Sequence, residues 1–324
     1  MGRFVLACGV LVGLVGCAEL VGCAAGQSGA GGAGGSGGAA TSTGTQGSTS
    51  TGTGTGTATT GTGFMTGSTG TGMMMGPAEV FGHSADTLYK LNPNTKAVIV
   101  VAPFSGGCTS VQDIALDKDS HLYATTKTAL YSVDKDTAVC TLIAGNGTYP
   151  NSLSFVPAGT LDPAVEALVG YVTDAQGKNN QYVRIDPQSG AVSNIGGPWN
   201  GGSTSPNPSE LVSSGDIVSV IGGPTYLTVK AAPGNSTRCS MADCLVEVNP
   251  QTGRIAKDYG ELASYKQVFG TAFWAGSVYG FTNKGQLFEV KIQGSIALTT
   301  DIPVASGLSF WGAGSTTAAP PVPN

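Results

Sequence analysis

Few residues in this chain could carry chemistry, and the scarcest are its two histidines, His83 and His121. A Ser-His-Asp hydrolase needs an imidazole oriented by a carboxylate beside a nucleophile. Neither position offers a readable partner: His83 closes an apolar run over 79–83, and His121 ends the turn Asp117-Lys118-Asp119-Ser120-His121. Both are read as surface or internally satisfied histidines. The Asp117–Asp119 spacing has something of a calcium loop but lacks the turn glycine and a later Glu, which leaves a plain hairpin turn. Asp134-Lys135-Asp136 reads the same way. Glycine-rich fragments before residue 77 follow no strand, precede no helix and lack the Lys-Ser/Thr that grips phosphate. Met73-Met74-Met75 offers three thioethers without His or Cys nearby, a poor soft-metal site. No catalytic residue, metal or cofactor is assigned on these grounds.

The seven cysteines divide into two groups. Cys8, Cys17 and Cys23 fall near the amino terminus, leaving Cys108, Cys140, Cys239 and Cys244 in the body. An even number in an exported domain implies disulfides, with three possible connectivities. Cys239 and Cys244 flank a short loop and are read as one pair. Cys108 with Cys140 is then the other, a closure worth about 3–4 kcal/mol in the chain-entropy model. A four-cysteine zinc site is disfavoured because the spacing lacks paired short knuckles.

Residues 1–25 form a secretory leader with one base, Arg3, and an apolar run from Phe4 to Val15. That run is shorter than the roughly 20 residues of a membrane-spanning helix. It ends in Leu14-Val15-Gly16-Cys17, and Leu20-Val21-Gly22-Cys23 repeats the phrase. Both copies resemble the bacterial lipobox, in which small residues admit the peptidase and the cysteine receives the lipid. The resemblance implies acylation at Cys17, with Cys23 as the alternative, since cutting before Cys23 would put Glu19 in the cleavage region. More than one acyl chain gives stable membrane anchoring. Ala18 after Cys17, rather than Asp, implies release to the outer membrane or cell surface; a periplasmic or secreted protein is the alternative.

Composition changes sharply after the leader. Residues 26–76 hold 19 of the 51 glycines, 14 threonines and no charge. With almost nothing to bury, this segment is expected to stay disordered. As a flexible coil it would span about 40 Å root-mean-square, which suits a tether. The whole chain carries a net charge of −5 and no Lys/Arg cluster, which excludes nucleic acid as a partner.

The elements that must position any site emerge from a repeat in residues 77–312. Leu88-Tyr89-Lys90-Leu91-Asn92-Pro93 returns as Leu130-Tyr131-Ser132-Val133-Asp134, Tyr182-Val183-Arg184-Ile185-Asp186-Pro187, Leu245-Val246-Glu247-Val248-Asn249-Pro250 and Leu287-Phe288-Glu289-Val290. Apolar alternation makes each a strand, and Asn/Asp-Pro opens a tight turn. Each phrase is followed by an apolar run (97–101, 139–143, 191–195, 254–259, 296–300). Each is preceded by another (79–83, 122–126, 168–173, 225–230, 278–282). A further innermost run occurs at 113–117, 152–156, 216–221 and 270–274, but not in the first copy. Four strands per repeat of 42 to 63 residues predict an all-β fold, a β-propeller of five four-stranded blades. Six blades is the alternative. Gly307-Leu308-Ser309-Phe310-Trp311, echoing Gly270-Thr271-Ala272-Phe273-Trp274, is expected to close the ring by joining the first blade. Residues 313–324 are read as a disordered tail.

At this point the chain resembles bacterial propellers of the NHL, YVTN or quinoprotein type carried on lipoprotein tethers. The resemblance implies a fold and little chemistry, because propellers host many functions. Ligands are expected where innermost strands begin, near Asp113, Ser152, Asp216, Gly270 and Gly307. Lactonase-type propellers gather several Glu, Asn and Asp ligands there, whereas here only Asp113 and Asp216 are acids. Three or more converging acids, or a buried His–acid pair, at the mouth itself would sink the non-enzyme reading. The remaining candidates are Tyr149, Trp199, Asn200, Tyr265 and the loop 231–244, whose aromatics and amides suit recognition of a protein or glycan. The function expected is therefore non-catalytic binding by a monomeric, lipid-tethered propeller. The alternatives are a lactonase-like hydrolase or lyase and a structural part of an envelope assembly.

Overall fold

Each repeat supplies four short strands whose sheet must bury both faces, and a ring lets every sheet do so against two neighbours. The computed structural model describes residues 79–173, 180–195, 210–234 and 238–323. The expected leader and tether, with Cys17 and Cys23, and also Trp199 and Asn200, lie outside the described residues. Among the described residues no helix is long and apolar enough to cross a membrane.

Five antiparallel four-stranded sheets form the ring. The first contains β1 (Val80–His83), β2 (Thr87–Leu91) and β3 (Val98–Pro103). The second is β4 (Asp113–Leu116), β5 (Leu122–Thr125), β6 (Leu130–Val133) and β7 (Cys140–Ala144). The third is β8 (Leu153–Val156), β9 (Ala167–Thr173), β10 (Asn180–Ile185) and β11 (Val192–Asn194). The fourth is β12 (Leu211–Ser219), β13 (Thr225–Ala231), β14 (Cys244–Asn249) and β15 (Arg254–Glu261). The fifth is β16 (Val268–Trp274), β17 (Ser277–Thr282), β18 (Leu287–Gln293) and β19 (Ile296–Ile302). A last strand, β20 (Gly312–Ser315), pairs with β1 and completes the first blade. The innermost strands β20, β4, β8, β12 and β16 each adjoin the next around the axis. The count is five blades, not six.

The repeated Asn/Asp explains the hairpin between third and fourth strands. Asn92 Oδ1 accepts the backbone N–H of Asn94 and Thr95, both at 3.0 Å. Asp134 does the same for Asp136 and Thr137, and Asp186 for Gln188 and Ser189. The turn closes on a left-handed residue, Gly253 in the fourth blade with φ +69°. A Cβ there would also sit 2.3 Å from Tyr182 Cγ, so the position demands glycine twice over.

The core is five clusters, one between each pair of neighbouring blades. Val156, Tyr171 and Tyr182 of the third blade pack on Leu227 and Val246 of the fourth, and the other four interfaces follow suit. Both expected disulfides are present. Cys108–Cys140 fastens the loop after β3 to the outer strand of the second blade, and Cys239–Cys244 pins the loop before β14. Such bonds persist in an oxidising compartment and fit an exported protein.

Two sequence expectations are corrected. The closing strand is Gly312–Ser315, not 307–311; Phe310 instead packs between the fifth and first blades. Residues 312–319 are buried, so the propeller does not end at 312 and the stretch from 313 is not a loose tail. Thr316 N–H donates to Glu79 C=O at 3.1 Å, Ile221 N–H to Thr317 C=O at 2.8 Å and Ala275 N–H to Pro320 C=O at 2.8 Å. The segment after β20 thereby crosses the end of the axis where the innermost strands finish, bonding to the first, fourth and fifth blades.

Candidate functional site

Two layers of side chains stack at the other end of the axis, where the innermost strands begin. The inner layer holds Asp113, first in β4, Asp216 within β12, and His83, last in β1, all wholly buried. Asp216 arrives there through an irregularity in β12, where pairing with β13 shifts between Ser213 and Ile217. The acids are occupied as acceptors. Asp113 takes the N–H of Ile114 at 2.7 Å and that of Leu153 from the next blade. Asp216 Oδ2 takes the N–H of Ala313 at 2.7 Å and of Thr271 at 3.1 Å. Each carboxyl therefore ties its own innermost strand to a neighbour's.

The two acids also act on each other through their charge. Burial, and then the negative charge of Asp216, push the Asp113 carboxyl well above the usual range. Burial raises Asp216 likewise. Burial and mutual repulsion therefore disfavour ionising both carboxyls at once. Asp216 Oδ1 has no hydrogen-bond partner.

His83 stands beside this pair. Its Nδ1 lies 2.7 Å from Ser84 C=O, which assigns the proton to Nδ1, and its Nε2 lies 3.9 Å from Asp113 Oδ1. Burial pulls its pKa down to about 4, against the Ser84 hydrogen bond, so the ring is neutral. Nε2 has no hydrogen-bond partner. The sequence reading of His83 as partnerless is corrected in position: an acid from the neighbouring blade adjoins it. Gly312 makes room for both, since a Cβ there would lie 2.4 Å from His83 Nε2 and 2.5 Å from Asp113 Oδ1.

The outer layer is a small cavity of about 170 Å³ lined by Gln112, Asn151, Ser214, Phe269, Asn283 and Trp311. All five blades contribute. Gln112 and Trp311 immediately precede Asp113 and Gly312, so mouth and floor alternate along one chain. The backbone is fixed around them: Gln112 N–H donates to Thr125 C=O at 2.7 Å, Trp311 N–H to His83 C=O at 2.7 Å and Asn283 N–H to Gln267 C=O at 3.0 Å. Ser214 Oγ is spent on Asp243 at 2.5 Å. Among the described residues, no intramolecular hydrogen bond engages the side-chain amides of Gln112, Asn151 and Asn283. None of the six carries charge at neutral pH. Together they offer amide donors and acceptors beside two aromatic rings.

The sequence missed all six, though for Gln112, Asn151 and Phe269 the signal was one residue away: innermost runs were read from 113, 152 and 270, and the residue just ahead of each faces the mouth. Tyr149 and Tyr265, expected as exposed recognition residues, are buried. Tyr149 donates to Gly190 C=O at 3.0 Å across a blade interface. Tyr265 stacks on Phe288 with ring centroids 3.8 Å apart and bonds Asp301. Asp113 and Asp216 lie at the axis as expected, but under the mouth and not in it.

His121 is also partnered, its Nδ1 2.8 Å from Asp117 Oδ2. Ligand atoms of Asp117, Asp119 and His121 lie within 4.8 Å of one another. Asp117 is engaged in the turn, accepting from the N–H of Asp119 at 2.9 Å and of His121 at 2.8 Å, and Lys118 bonds Asp119. That is the hairpin turn the sequence indicated. A broader, open hollow of about 630 Å³ runs from it to the Asp134–Asp136 turn.

No known family model matches the chain, and no curated protein sequence does either. Similar solved structures include a protein of unknown function from Bacteroides caccae, at 14% identity over 74% of this chain and 99% of that one, with a TM-score of 0.35. Others are a gluconolactonase from Xanthomonas campestris (10% identity, 71% and 74% covered, TM-score 0.39) and the WD40 β-propeller domain of Doa1 (13%, 73% and 82%, TM-score 0.38). Likenesses this distant transfer no function to the chain.

Proposed function

We propose that the protein is a non-catalytic, membrane-tethered propeller that binds a protein or glycan partner on the loop face carrying the axial mouth. One observation carries this reading. The groups able to catalyse are shut away from solvent, with both acids bonded to backbone amides, while the accessible groups are neutral, unpartnered amides and aromatics. The tether of residues 26–76, following a cysteine acylated at position 17 or 23, would hold the ring off an outer membrane or cell surface. The test compares full-length protein with its Trp311→Ala and Asn283→Ala variants for retention on envelope fractions. Both variants should lose retention while keeping the native far-UV spectrum; unchanged retention overturns the reading. Labelled fatty-acid incorporation should vanish in Cys17→Ala or in Cys23→Ala, and labelling unaffected by either removes the anchor.

A second reading, a hydrolase or lyase at the axis, is favoured by the buried approach of His83 to Asp113 at 3.9 Å. It requires the mouth to open onto the floor. Turnover of lactone substrates that disappears in His83→Gln would establish it in place of binding.

A further inference from the structure

Resting on the binding reading above, we infer that the axial mouth is a subsite for one neutral sugar residue, taken at the free end of a glycan. The first argument is chemical. Gln112, Asn151 and Asn283 each present a primary amide, a donor and an acceptor on one planar group. Adjacent hydroxyls of a pyranose also donate and accept, so paired hydrogen bonds form without ionised partners. Phe269 and Trp311 supply apolar surface for the C–H bonds of the same ring. Trp311 is 39% exposed, in a fold whose aromatics are otherwise mostly buried among the described residues.

The second argument is charge. No titratable side chain lines the cavity, and the acids beneath it are sealed from solvent. A carboxylated or phosphorylated ligand would meet no cation in the cavity lining, in a chain of net charge −5. The occupant that fits is neutral and rich in hydroxyls.

The third argument is size and access. A cavity of about 170 Å³ falls below the roughly 300–1,000 Å³ of drug-sized sites, so it admits one ring and not an oligomer. The axis offers no through route, because Asp113, Asp216 and His83 fill the floor and residues 316–320 cross the far end. A polymer can therefore present only a terminal unit. The lining amides sit at the starts of strands or on bonded backbone, so little ordering accompanies binding.

The experiment is an array of neutral hexose- and N-acetylhexosamine-terminated oligosaccharides with uronic-acid-capped counterparts, probed with fluorescent full-length protein. Selective binding to neutral termini is expected, falling at least tenfold in Trp311→Ala and in Asn283→Ala, with melting temperature unchanged. Binding that survives both substitutions, or favours acidic caps, overturns the inference. If no neutral glycan binds but retention on envelope protein still depends on Trp311, the sugar inference fails and the binding reading stands. If neither depends on Trp311, both fail.

Discussion

The floor and mouth of the axis are one residue apart in sequence and opposite in character. Asp113 follows Gln112 and Gly312 follows Trp311, yet Asp113 is fully buried and fully bonded while Gln112 and Trp311 reach the cavity. Alternation along a strand produces the contrast: successive residues point to different surroundings. The lesson is that reactive residue types are no guide to reactive positions. The carboxyls tie neighbouring innermost strands together and the histidine is sealed beside them, while the chemically quiet amides and aromatics face solvent.

The strongest test of that contrast is Asp216→Ala. It leaves the N–H groups of Thr271 and Ala313 without an acceptor in a dry interior, and about 4 kcal/mol of unfolding free energy should disappear in denaturant titrations. Asp216→Asn keeps an oxygen for both amides and cannot ionise, so it should recover most of the loss. A neutral result for the alanine variant would mean the floor is not structural.

The floor should also impose pH limits. His83 binds its proton less readily folded than unfolded, so its contribution is present above pH 6.5 and fades as pH falls toward 4. That loss amounts to about 3 kcal/mol at full extent and should be absent in His83→Gln. The acid pair acts in the opposite sense. Its raised folded pKa values mean stability declines as pH rises above the unfolded carboxylate range, a decline that Asp216→Asn should flatten. Melting temperatures measured from pH 4.5 to 9 read both limbs.

Smaller effects follow. Gly312→Ala drives a methyl into His83 and Asp113 and should cost about 2 kcal/mol. Trp311→Ala, in the same chain segment, should change stability by no more than about 0.5 kcal/mol while abolishing ligand retention. If the two substitutions behaved alike, the division between floor and mouth would be wrong.

What sequence could reveal follows the same division between local and remote causes. The Asn92, Asp134, Asp186 and Asn249 turns are local chemistry, written beside the strands they join, and so the blades were legible. The closing strand Gly312-Ala313-Gly314-Ser315 carries no apolar alternation, because its residues are chosen by crowding from His83 in the remote strand β1 and from Asp113 and Ile114 in the second blade. Tyr149 and Tyr265 looked exposed for want of knowing which blade covers them. The His83–Asp113 approach joins β1 to β4 across an interface that no spacing encodes. The mouth was missed because amides and aromatics at strand starts carry no motif.

The pairing of β20 with β1 has a consequence in time. A ribosome makes Val80–His83 about 230 residues before Gly312–Ser315. Until then the first blade is a three-stranded sheet with an open inner edge, and the axis lacks the amide of Ala313 that Asp216 awaits. Assembly thus hinges on a contact of high sequence separation, the slow kind. A chain interrupted before that strand would display an unpaired β1 edge, available to chaperones, proteases or another copy. Closure of the ring makes the native state a record that synthesis reached its final strand.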